Sequence, residues 1–392
     1  MTSEWNHFAL GEITELVIDY RGKTPKKLGG DWCKQGYRAL SAKNIKTGRI
    51  VQAETIRYID ESLYRKWMKD EVQRGDILIT SEAPFGQIFF WDSDEKIVLS
   101  QRLFCVRIKP EYDARFIYYY MTTPEFQSEL DGRATGTTVI GLRQPELMKC
   151  VIRCPEIQEQ KVIAAILSSI DAKIIANEKV NDNLQQQAAA LFSSLYDRSN
   201  TEVRFTDLIQ ILGGGTPKTG ENTYWNGNIA FFTPKDVGIP YTLITEKTIS
   251  KEGLSHCNSR LYPVNTVFVT ARGTVGKVGM SGVPMAMNQS CYALVGKETH
   301  QLLVYFYTLK TVDRLKHKAS GAVFDAITTR DFESEQIMKL SDEDAKSFLC
   351  IAAPMFQKVL DNGIENQRLS TLRDSLLPKL MSGEIDVSAV QL

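Results

Sequence analysis

The chain lacks the features that would place it in a membrane or a secretory pathway. Its 392 residues contain no run of 18 apolar residues, and the start MTSEWNHFALGE has no basic segment followed by an apolar one. The seven cysteines are odd in number and scattered. Only Cys150 and Cys154 lie close together, and no second pair or histidine follows at the spacing of a zinc site. We therefore expect reduced structural thiols, no metal site, no membrane partner and a cytoplasmic location.

The motifs of common catalytic sites are also missing. Gly22–Thr24 resembles the end of a phosphate-binding loop, but Val17 stands where that loop has its first glycine. Gly215–Gly220 has the right spacing but is followed by Glu221 instead of lysine. There is no Asn/Asp-Pro-Pro-aromatic motif, no glycine-rich strand-turn for S-adenosylmethionine, and no histidine in the pattern of a nucleophile triad. We predict no catalytic residue and no cofactor in this chain.

Net charge is zero, with 47 Lys and Arg against 47 Asp and Glu. The neutral total by itself argues against a nucleic-acid binder. The distribution of charge matters more than the net charge, because basic faces can be balanced by acidic faces elsewhere on the protein. The length predicts two or three domains, and 43% hydrophobic residues are enough to form their cores.

A regular pattern follows Pro155 and recurs near the end of the chain. Apolar residues and two asparagines alternate at steps of three and four, as in the seam of a coiled coil. The second copy begins at Ser341, which forms a capping-box pattern with Asp344 three residues later. It ends near Pro378 and Gly383, which are helix stop signals. The predicted seam positions are Ile163, Leu167, Ile170, Ile174, Asn177, Asn181, Leu184, Leu191 and Leu195 in the first helix, and Phe348, Met355, Val359, Asn362, Asn366, Leu369, Leu376 and Leu380 in the second.

Pro354 lies inside the second copy and predicts either a kink or a later helix start.

Two such helices, each about 60 Å long at 1.5 Å per residue, most simply bury their seams against each other in antiparallel orientation. The mid-seam asparagines then face each other. Such residues either fix register and orientation, the best-attested use of buried polar seam positions, or line a point where a helix of another subunit packs. The predicted pairs are Asn177 with Asn366, Asn181 with Asn362, Leu184 with Val359, and Ile174 with Leu369.

The remaining sequence repeats one strand-rich plan. Short β-branched and aromatic runs, bounded by glycine and polar turns, predict strands followed by a helix and a Gly/Thr loop. In the first copy these are Arg74–Thr80, Gly86–Trp91 and Arg102–Ile108, the helix Asp113–Met121, and the loop Leu130–Arg143. The second copy repeats GKTPK as GGTPK and aligns Thr80 with Thr270 and Gly86 with Gly276.

These patterns predict an α+β protein with two pseudo-symmetric, strand-rich α/β domains separated by two long helices that form an antiparallel coiled coil. The predicted bounds are 1–154 for the first globular domain, 155–200 for the central helix, 201–340 for the second globular domain, and 341–392 for the distal helix and tail.

The turns of both copies carry Lys, Arg, Thr and Asn among glycines. Such residues suit DNA, because cations and glycine N–H groups take phosphates while Arg, Asn and Thr can read base edges. The alternative for each residue is a solvated turn position. The candidates are Arg21, Lys23, Lys26, Lys43, Asn44, Arg133, Thr135, Thr137, Thr138 and Arg143 in the first copy, and Lys218, Lys235, Arg272, Thr274, Lys277, Lys318, Ser320 and Arg330 in the second.

The run EIQEQKVIAAILSSIDAKI, the later run LRDSLLPKLMSGEI and the duplicated TPK-bearing domains together resemble the specificity subunit of a type I restriction–modification system. The resemblance covers essentially the whole chain. Glu159 and Gln160 match the family's Glu-Gln pair, whereas the second helix has Lys346 at the equivalent of Lys161 and no such pair.

The resemblance implies that each globular domain is a target-recognition domain for one half of a bipartite, asymmetric site on double-stranded DNA. It implies that the paired helices set the spacer and dock two modification subunits. These partners would carry S-adenosylmethionine and methylate adenine at N6, and restriction subunits would use ATP and Mg²⁺ for translocation and cleavage. The chain itself would be a non-catalytic specificity subunit in host defence.

Two other classes of protein stay open on the sequence alone. One is a catalytic DNA methyltransferase, or the recognition part of one, against which the missing motifs count. The other is a structural adaptor that joins two protein-binding domains, which the neutral net charge supports.

Overall fold

The computed structural model describes residues 5–136, 140–238, 240–318, 326–388 and 390. It divides the chain into two compact units. The first unit is Met1–Ala172 with Ser370–Leu392, and the second unit is Lys173–Leu369. The divisions fall within the long helices, so each unit contains one globular region and a part of both helices.

The first unit contains a four-stranded and a three-stranded sheet. Its strands are β1 (Asn6–Ala9), β2 (Thr14–Asp19), β3 (Tyr37–Leu40), β4 (Ile45–Lys46), β5 (Arg49–Ile50), β6 (Arg57–Ile59), β7 (Ile77–Thr80), β8 (Ile88–Phe90), β9 (Ile97–Leu99), β10 (Leu103–Ile108) and β11 (Val151–Cys154). The order β2-β10-β7-β8 is antiparallel throughout. In the order β6-β3-β9, strands β3 and β9 run parallel, and β1 pairs with β11 separately.

The helices of this part of the chain are α1 (Leu10–Ile13), α2 (Glu61–Trp67), α3 (Ala114–Met121), α4 (Pro124–Arg133), α5 (Gln144–Leu147) and the long α6 (Ile157–Asp197). The Asp113 side chain caps α3 by accepting a hydrogen bond from Phe116 N at 2.8 Å. Pro124 occupies the first turn of α4, where a missing N–H costs no helical hydrogen bond.

The second globular region repeats this topology. Its strands are β12 (Thr201–Arg204), β13 (Ile209–Gly213), β14 (Trp225–Phe232), β15 (Tyr241–Thr242), β16 (Lys247–Ile249), β17 (Val267–Thr270), β18 (Val278–Ser281), β19 (Met285–Met287), β20 (Cys291–Gly296) and β21 (Gln336–Lys339). The sheets are β13-β20-β17-β18-β15 and β16-β14-β19, with β14 parallel to β19, and β12 pairs with β21. The predicted internal repeat is therefore present strand by strand, apart from β4-β5 in one copy and β15 in the other.

The helices that follow are α7 (Phe205–Leu208), α8 (Lys251–Ser255), α9 (Gln301–Lys318), α10 (Thr329–Ser334) and the long α11 (Asp342–Met381). Ser341 Oγ accepts a hydrogen bond from Asp344 N at 3.1 Å, which confirms the predicted cap. Helix α11 runs unbroken through Pro354, so a later start is wrong. Gly383 has φ +74°, a left-handed conformation that suits the residue just after a helix end.

The strand and loop predictions need small corrections. Strand β7 begins at Ile77 rather than at Arg74, because Gly75 adopts φ +95° and the preceding residues form a turn. Strand β10 begins after Arg102, whose φ is +66°. The predicted loop from Leu130 is wrong at its start, since α4 continues to Arg133.

Each unit has its own large apolar core. In the first unit, α3 lies against the four-stranded sheet and the ends of both long helices, with Phe116, Leu167 and Leu380 buried. In the second unit, α9 takes the same place, with Phe306, Phe192 and Phe348 buried together. The long helices are therefore part of the globular cores as well as of a coiled coil.

Candidate nucleic-acid interface

Several strand ends of the first unit meet at one edge. The last residue of β7, Thr80, pairs with Leu103 at the start of β10. The last residues of β3 and β9, Leu40 and Leu99, pair with each other. The loops that leave these ends lie together, and we call them the first polar edge. It comprises the described residues of segments 20–28, 41–47, 81–87, 100–102 and 134–143.

The second unit brings the corresponding loops together. Thr270 pairs with Cys291, and Phe232 pairs with Met287. The Thr274 hydroxyl donates a hydrogen bond to the carbonyl of Pro234 at 3.1 Å, which ties two of the loops. The second polar edge comprises segments 214–219, 233–236, 271–277, 288–290 and 326–330.

The loop after β7 has the same frame as the loop after β17. Thr80 Oγ1 accepts a hydrogen bond from Gln87 N at 2.8 Å, and Thr270 Oγ1 accepts one from Lys277 N at 2.9 Å. Gly86 and Gly276 have φ +70° and +73°, a conformation that side chains other than glycine rarely adopt. The recurrence of these residues thus follows from the shape of the loop.

Asn44, a DNA candidate from the sequence, is not available to DNA. It is 1% exposed. Its Oδ1 accepts hydrogen bonds from Ser41 N and Oγ, and its Nδ2 donates to Thr55 Oγ1 at 3.0 Å. In the second unit Asp236 closes the same turn by accepting from Thr233 N and Oγ1. Both residues therefore hold the turn that presents the exposed lysines Lys43 and Lys235.

Arg21 and Lys23 are also engaged within the protein. Arg21 forms a two-pronged ion pair with Asp19 and donates to the Leu142 carbonyl at 3.2 Å. Lys23 Nζ donates to the Trp67 carbonyl at 2.7 Å and lies 3.7 Å from the centre of the Tyr20 ring. Burial, with repulsion from Lys69, lowers the pKa of Lys23 below its usual value.

Arg133 and Lys318 have acidic partners. Arg133 Nη2 lies 3.0 Å from Glu129 Oε1. Lys318 Nζ lies 2.5 Å from Oε1 of Glu335, whose side chain is only 2% exposed. A single lysine thus neutralises a buried carboxylate, and neither cation is free to bind a phosphate without losing an internal ion pair.

The other candidates among the described residues lie exposed on the two edges. Thr137, Thr138 and Ser320 lie outside the described residues. The exposed ones are Lys26, Lys43, Thr135 and Arg143 on the first polar edge, and Lys218, Lys235, Arg272, Thr274, Lys277 and Arg330 on the second. Lys235 has an acidic neighbour, Glu246, at 3.8 Å, but its side chain is 81% exposed.

Two exposed glutamines on the edges were not among the candidates. Gln101 precedes β10 and Gln289 occupies the same place before β20. The motifs LSQR and MNQS share only this glutamine, so the pairing becomes visible once the strand register is known.

In each unit a cation on a strand that adjoins the polar edge also lies beside a tryptophan. The Arg57 guanidinium lies 5.2 Å from the Trp32 ring centre, and Lys247 Nζ lies 5.5 Å from that of Trp225. In the first unit Trp32 and Arg57 line a cavity of about 160 Å³ together with Lys43 and Gln101. An aromatic ring, cations and an amide at one site match the groups that proteins use on nucleic acids.

The seam asparagines meet as predicted. Asn177 Nδ2 donates to Asn366 Oδ1 at 2.8 Å, and Asn362 Nδ2 donates to Asn181 Oδ1 at 2.8 Å. One asparagine of each helix also donates a hydrogen bond to a backbone carbonyl of the other helix. Asn181 donates to the Val359 carbonyl and Asn366 donates to the Ile174 carbonyl, both at 3.3 Å. The asparagine register is confirmed and antiparallel.

All seventeen predicted seam positions are buried or half-buried. The periodicity missed Phe192 and Phe356. Both pack on Phe306 of α9, and Phe192 also contacts Phe348 of the other long helix. It also missed a polar cluster in the first unit: Asp171 accepts a hydrogen bond from the Tyr119 hydroxyl at 2.6 Å and pairs with Arg373 at 2.8 Å.

Groups that could perform chemistry are sparse among the described residues. No set of three or more His, Cys, Asp and Glu side chains there could hold a metal ion. Burial raises the pKa of Cys150 and of Cys154 to about 12, so both thiols stay protonated at neutral pH. Within the described residues no helix combines the length and apolarity needed to cross a membrane.

Comparison with known proteins gives a consistent result. The family model for the type I restriction modification DNA specificity domain matches the chain twice, at residues 2–186 and 198–341. The specificity subunit of the HindI type I restriction enzyme from Haemophilus influenzae is 23% identical over 406 aligned residues, covering 81% of this chain and 88% of that protein. The EcoR124I/EcoR124II specificity subunit of Escherichia coli is 27% identical over 229 residues, 53% of this chain and 55% of its own.

The fold has a counterpart among solved structures. The crystal structure of the type I restriction–modification S subunit from M. genitalium superposes with a TM-score of 0.61 at 17% identity, and the match covers 96% of both chains.

Proposed function

Because this chain belongs to the family of type I restriction–modification DNA specificity proteins, we propose that each of its polar edges reads one half of a bipartite DNA target. The chain is the DNA target-recognition subunit of such a system. The finer assignment, with one half-site for each edge, is our proposal.

The duplicated polar edge is the observation that carries this assignment. Two globular regions with one topology each gather exposed lysines, arginines and threonines at the same strand ends. Lys43 and Lys235 occupy matching turns, each held by a side chain that closes the turn, Asn44 or Asp236. Cations fixed on a rigid frame suit phosphate contacts, and the neighbouring loops are free to differ and thus to read different bases.

The long helices have a separate role in the proposal. Two readers on stiff helices match only half-sites at a fixed separation on the duplex, so the helices set the length of the unread spacer. Away from the seam, α6 and α11 carry exposed apolar side chains, and we propose that these outer faces dock the modification subunits. These side chains are Ile175, Val180, Ile351 and Leu372.

The chemistry belongs to the partners in this proposal. We propose that this chain is non-catalytic and that two modification subunits bring S-adenosylmethionine and transfer its methyl group to adenine N6. Restriction subunits would use ATP and Mg²⁺ for translocation and cleavage. Among the described residues, His256 Nδ1 lies 3.1 Å from the Ser255 hydroxyl, but the same nitrogen also contacts the Glu252 carbonyl at 2.9 Å and no carboxylate is bonded to the ring, so this exposed pair does not form a catalytic triad.

Salt-dependent DNA binding tests the proposal. The chain is assembled with its modification subunits, and its affinity for duplex DNA is measured between about 50 and 200 mM salt. A binder that uses several phosphate contacts loses affinity steeply, with the slope reporting the number of cations engaged. An assembled complex that binds no duplex at low salt would point instead to an adaptor between proteins.

A further inference from the structure

We propose that Gln101 and Gln289 are equivalent base-reading residues, and that each reads an adenine at the same position of its own half-site. This inference rests on the proposed function, because it needs each polar edge to face DNA. It assigns a specificity-determining role to two residues at one topological position.

The two glutamines have the same backbone frame. Before each of them, Ser100 N donates to the Leu40 carbonyl at 2.8 Å and Asn288 N to the Phe232 carbonyl at 3.0 Å. After each of them, a carbonyl accepts a hydrogen bond from the loop at the matching strand end. Ser81 N donates to Arg102 O at 2.9 Å, and Ala271 N donates to Ser290 O at 2.8 Å.

Both side chains are exposed at the polar edge, which is the position a reader needs. The Gln101 amide has no side-chain hydrogen bond among the described residues, and Gln289 Oε1 accepts one from the Thr216 hydroxyl, an edge residue itself. The recurrent threonines Thr80 and Thr270, by contrast, act within the protein, because each holds the adjoining loop by a hydrogen bond. The fold does not require a glutamine at this exposed position, so its recurrence indicates a shared contact outside the chain.

The surroundings favour a base over a phosphate as that contact. Gln101 lines the cavity with Lys43 and Arg57, and the exposed cations Lys235 and Lys247 occupy the matching positions in the second unit. These cations can supply the phosphate contacts, which leaves the neutral amide for a base edge. A glutamine amide forms two hydrogen bonds with adenine, at N6 and N7 in the major groove.

The flanking residues explain how the two halves can still differ. Ser100 is replaced by Asn288, and Arg102 by Ser290. Different donors beside a common glutamine predict half-sites that share one adenine and diverge at the neighbouring base pairs.

Methylation mapping of single variants tests the inference. Gln101→Ala and Gln289→Ala are each co-expressed with the modification subunits, and methylated adenines are mapped by long-read sequencing. Each variant should relax one adenine position, in one half-site only, with discrimination there falling roughly 5- to 150-fold. Gln101→Glu should shift the preference at that position toward cytosine, whose N4 donates to a carboxylate.

The controls are exposed glutamines that lie at the opposite strand ends, Gln35 before β3 and Gln210 at the start of β13. Their alanine variants should leave the motif unchanged, and equal melting temperatures establish that all variants are folded.

The outcomes separate the two levels of the proposal. If the unaltered chain yields no bipartite motif, the proposed function itself is wrong. If it yields one and the glutamine variants keep it unchanged, lose methylation uniformly at all sites, or relax a position other than adenine, the recognition function stands and the assignment of the glutamines is overturned.

Discussion

The starts of the two long helices differ, although the globular regions around them repeat one topology. In the first unit, Gln160 Oε1 accepts a hydrogen bond from Asp113 N and its Nε2 donates to the Pro155 carbonyl, both at 2.9 Å. In the second unit Ala345 takes this place and lines a groove of about 1080 Å³ with Tyr307. A repeated topology therefore fixes where a helix begins without fixing how firmly it is attached.

The largest loss of stability should come from removing the Gln160 side chain, which attaches the first long helix to the globular region. Gln160→Ala should lower the free energy of unfolding of the first unit by about 2–4 kcal/mol, because a buried N–H and a buried carbonyl lose their partner. Urea unfolding measures the difference. Gln158→Ala, at an exposed position of the same turn, should change it by less than about 0.5 kcal/mol. Equal losses in the two variants would mean that the amide does not fasten the helix.

The loops after β7 and β17 have the same hydrogen-bonded frame, so equivalent substitutions in them should lower stability by similar amounts. Thr80 and Thr270 are both 0% exposed. Replacing either by valine removes a hydroxyl that accepts a loop N–H, and each change should cost about 1–3 kcal/mol. The Thr270 variant should lose more, because this hydroxyl also donates to the Thr274 carbonyl. Thermal unfolding of the two variants gives the order, and a larger loss for Thr80→Val would contradict the assignment of bonds.

The matching lysines should act equally on DNA. Lys43→Ala and Lys235→Ala should each weaken duplex binding by the assembled complex at all sequences and reduce the salt slope by about 1. Lys34→Ala, at an exposed position outside the segments of the polar edge, serves as the control. A change of the methylated motif in either lysine variant would show base reading instead of phosphate binding.

The smallest change in stability should come from placing the glutamine of the first helix at the equivalent position of the second. Ala345→Gln gives the second unit the amide that fastens the first, and we expect a gain of about 0.5–1 kcal/mol for one added hydrogen bond in place of solvent. Urea unfolding of Ala345→Gln and Gln160→Ala side by side measures the free energy gained where the glutamine is added and lost where it is removed. A loss of stability would mean that the groove is shaped for something other than this side chain.

The sequence predicted those parts of the structure that depend on local periodicity. Spacing alone predicts the two long helices, the asparagine register and the repeat of the globular plan. These features produce patterns that recur along many residues and are therefore visible in the sequence. The aromatic residues Phe192 and Phe356 escaped that reasoning because their partner, Phe306, is distant in sequence.

The individual site residues were harder to predict because distant partners decide whether a side chain is free. Lys318 has the sequence context of a DNA-binding loop, yet Glu335 engages it. Arg21 lies in a TPK-bearing turn, and Asp19 and Leu142 take its donors. Conversely, Gln101 and Gln289 stand in dissimilar motifs, and only the strand register places them at one position.

Genome-wide mapping of methylated adenines tests the central claim most directly. The chain is expressed with its modification subunits in a host free of other adenine methylation, and its target is determined by long-read sequencing. Our account predicts a motif of two different half-sites separated by an unread spacer of fixed length. A single continuous motif, or no methylation although the complex assembles, would contradict it.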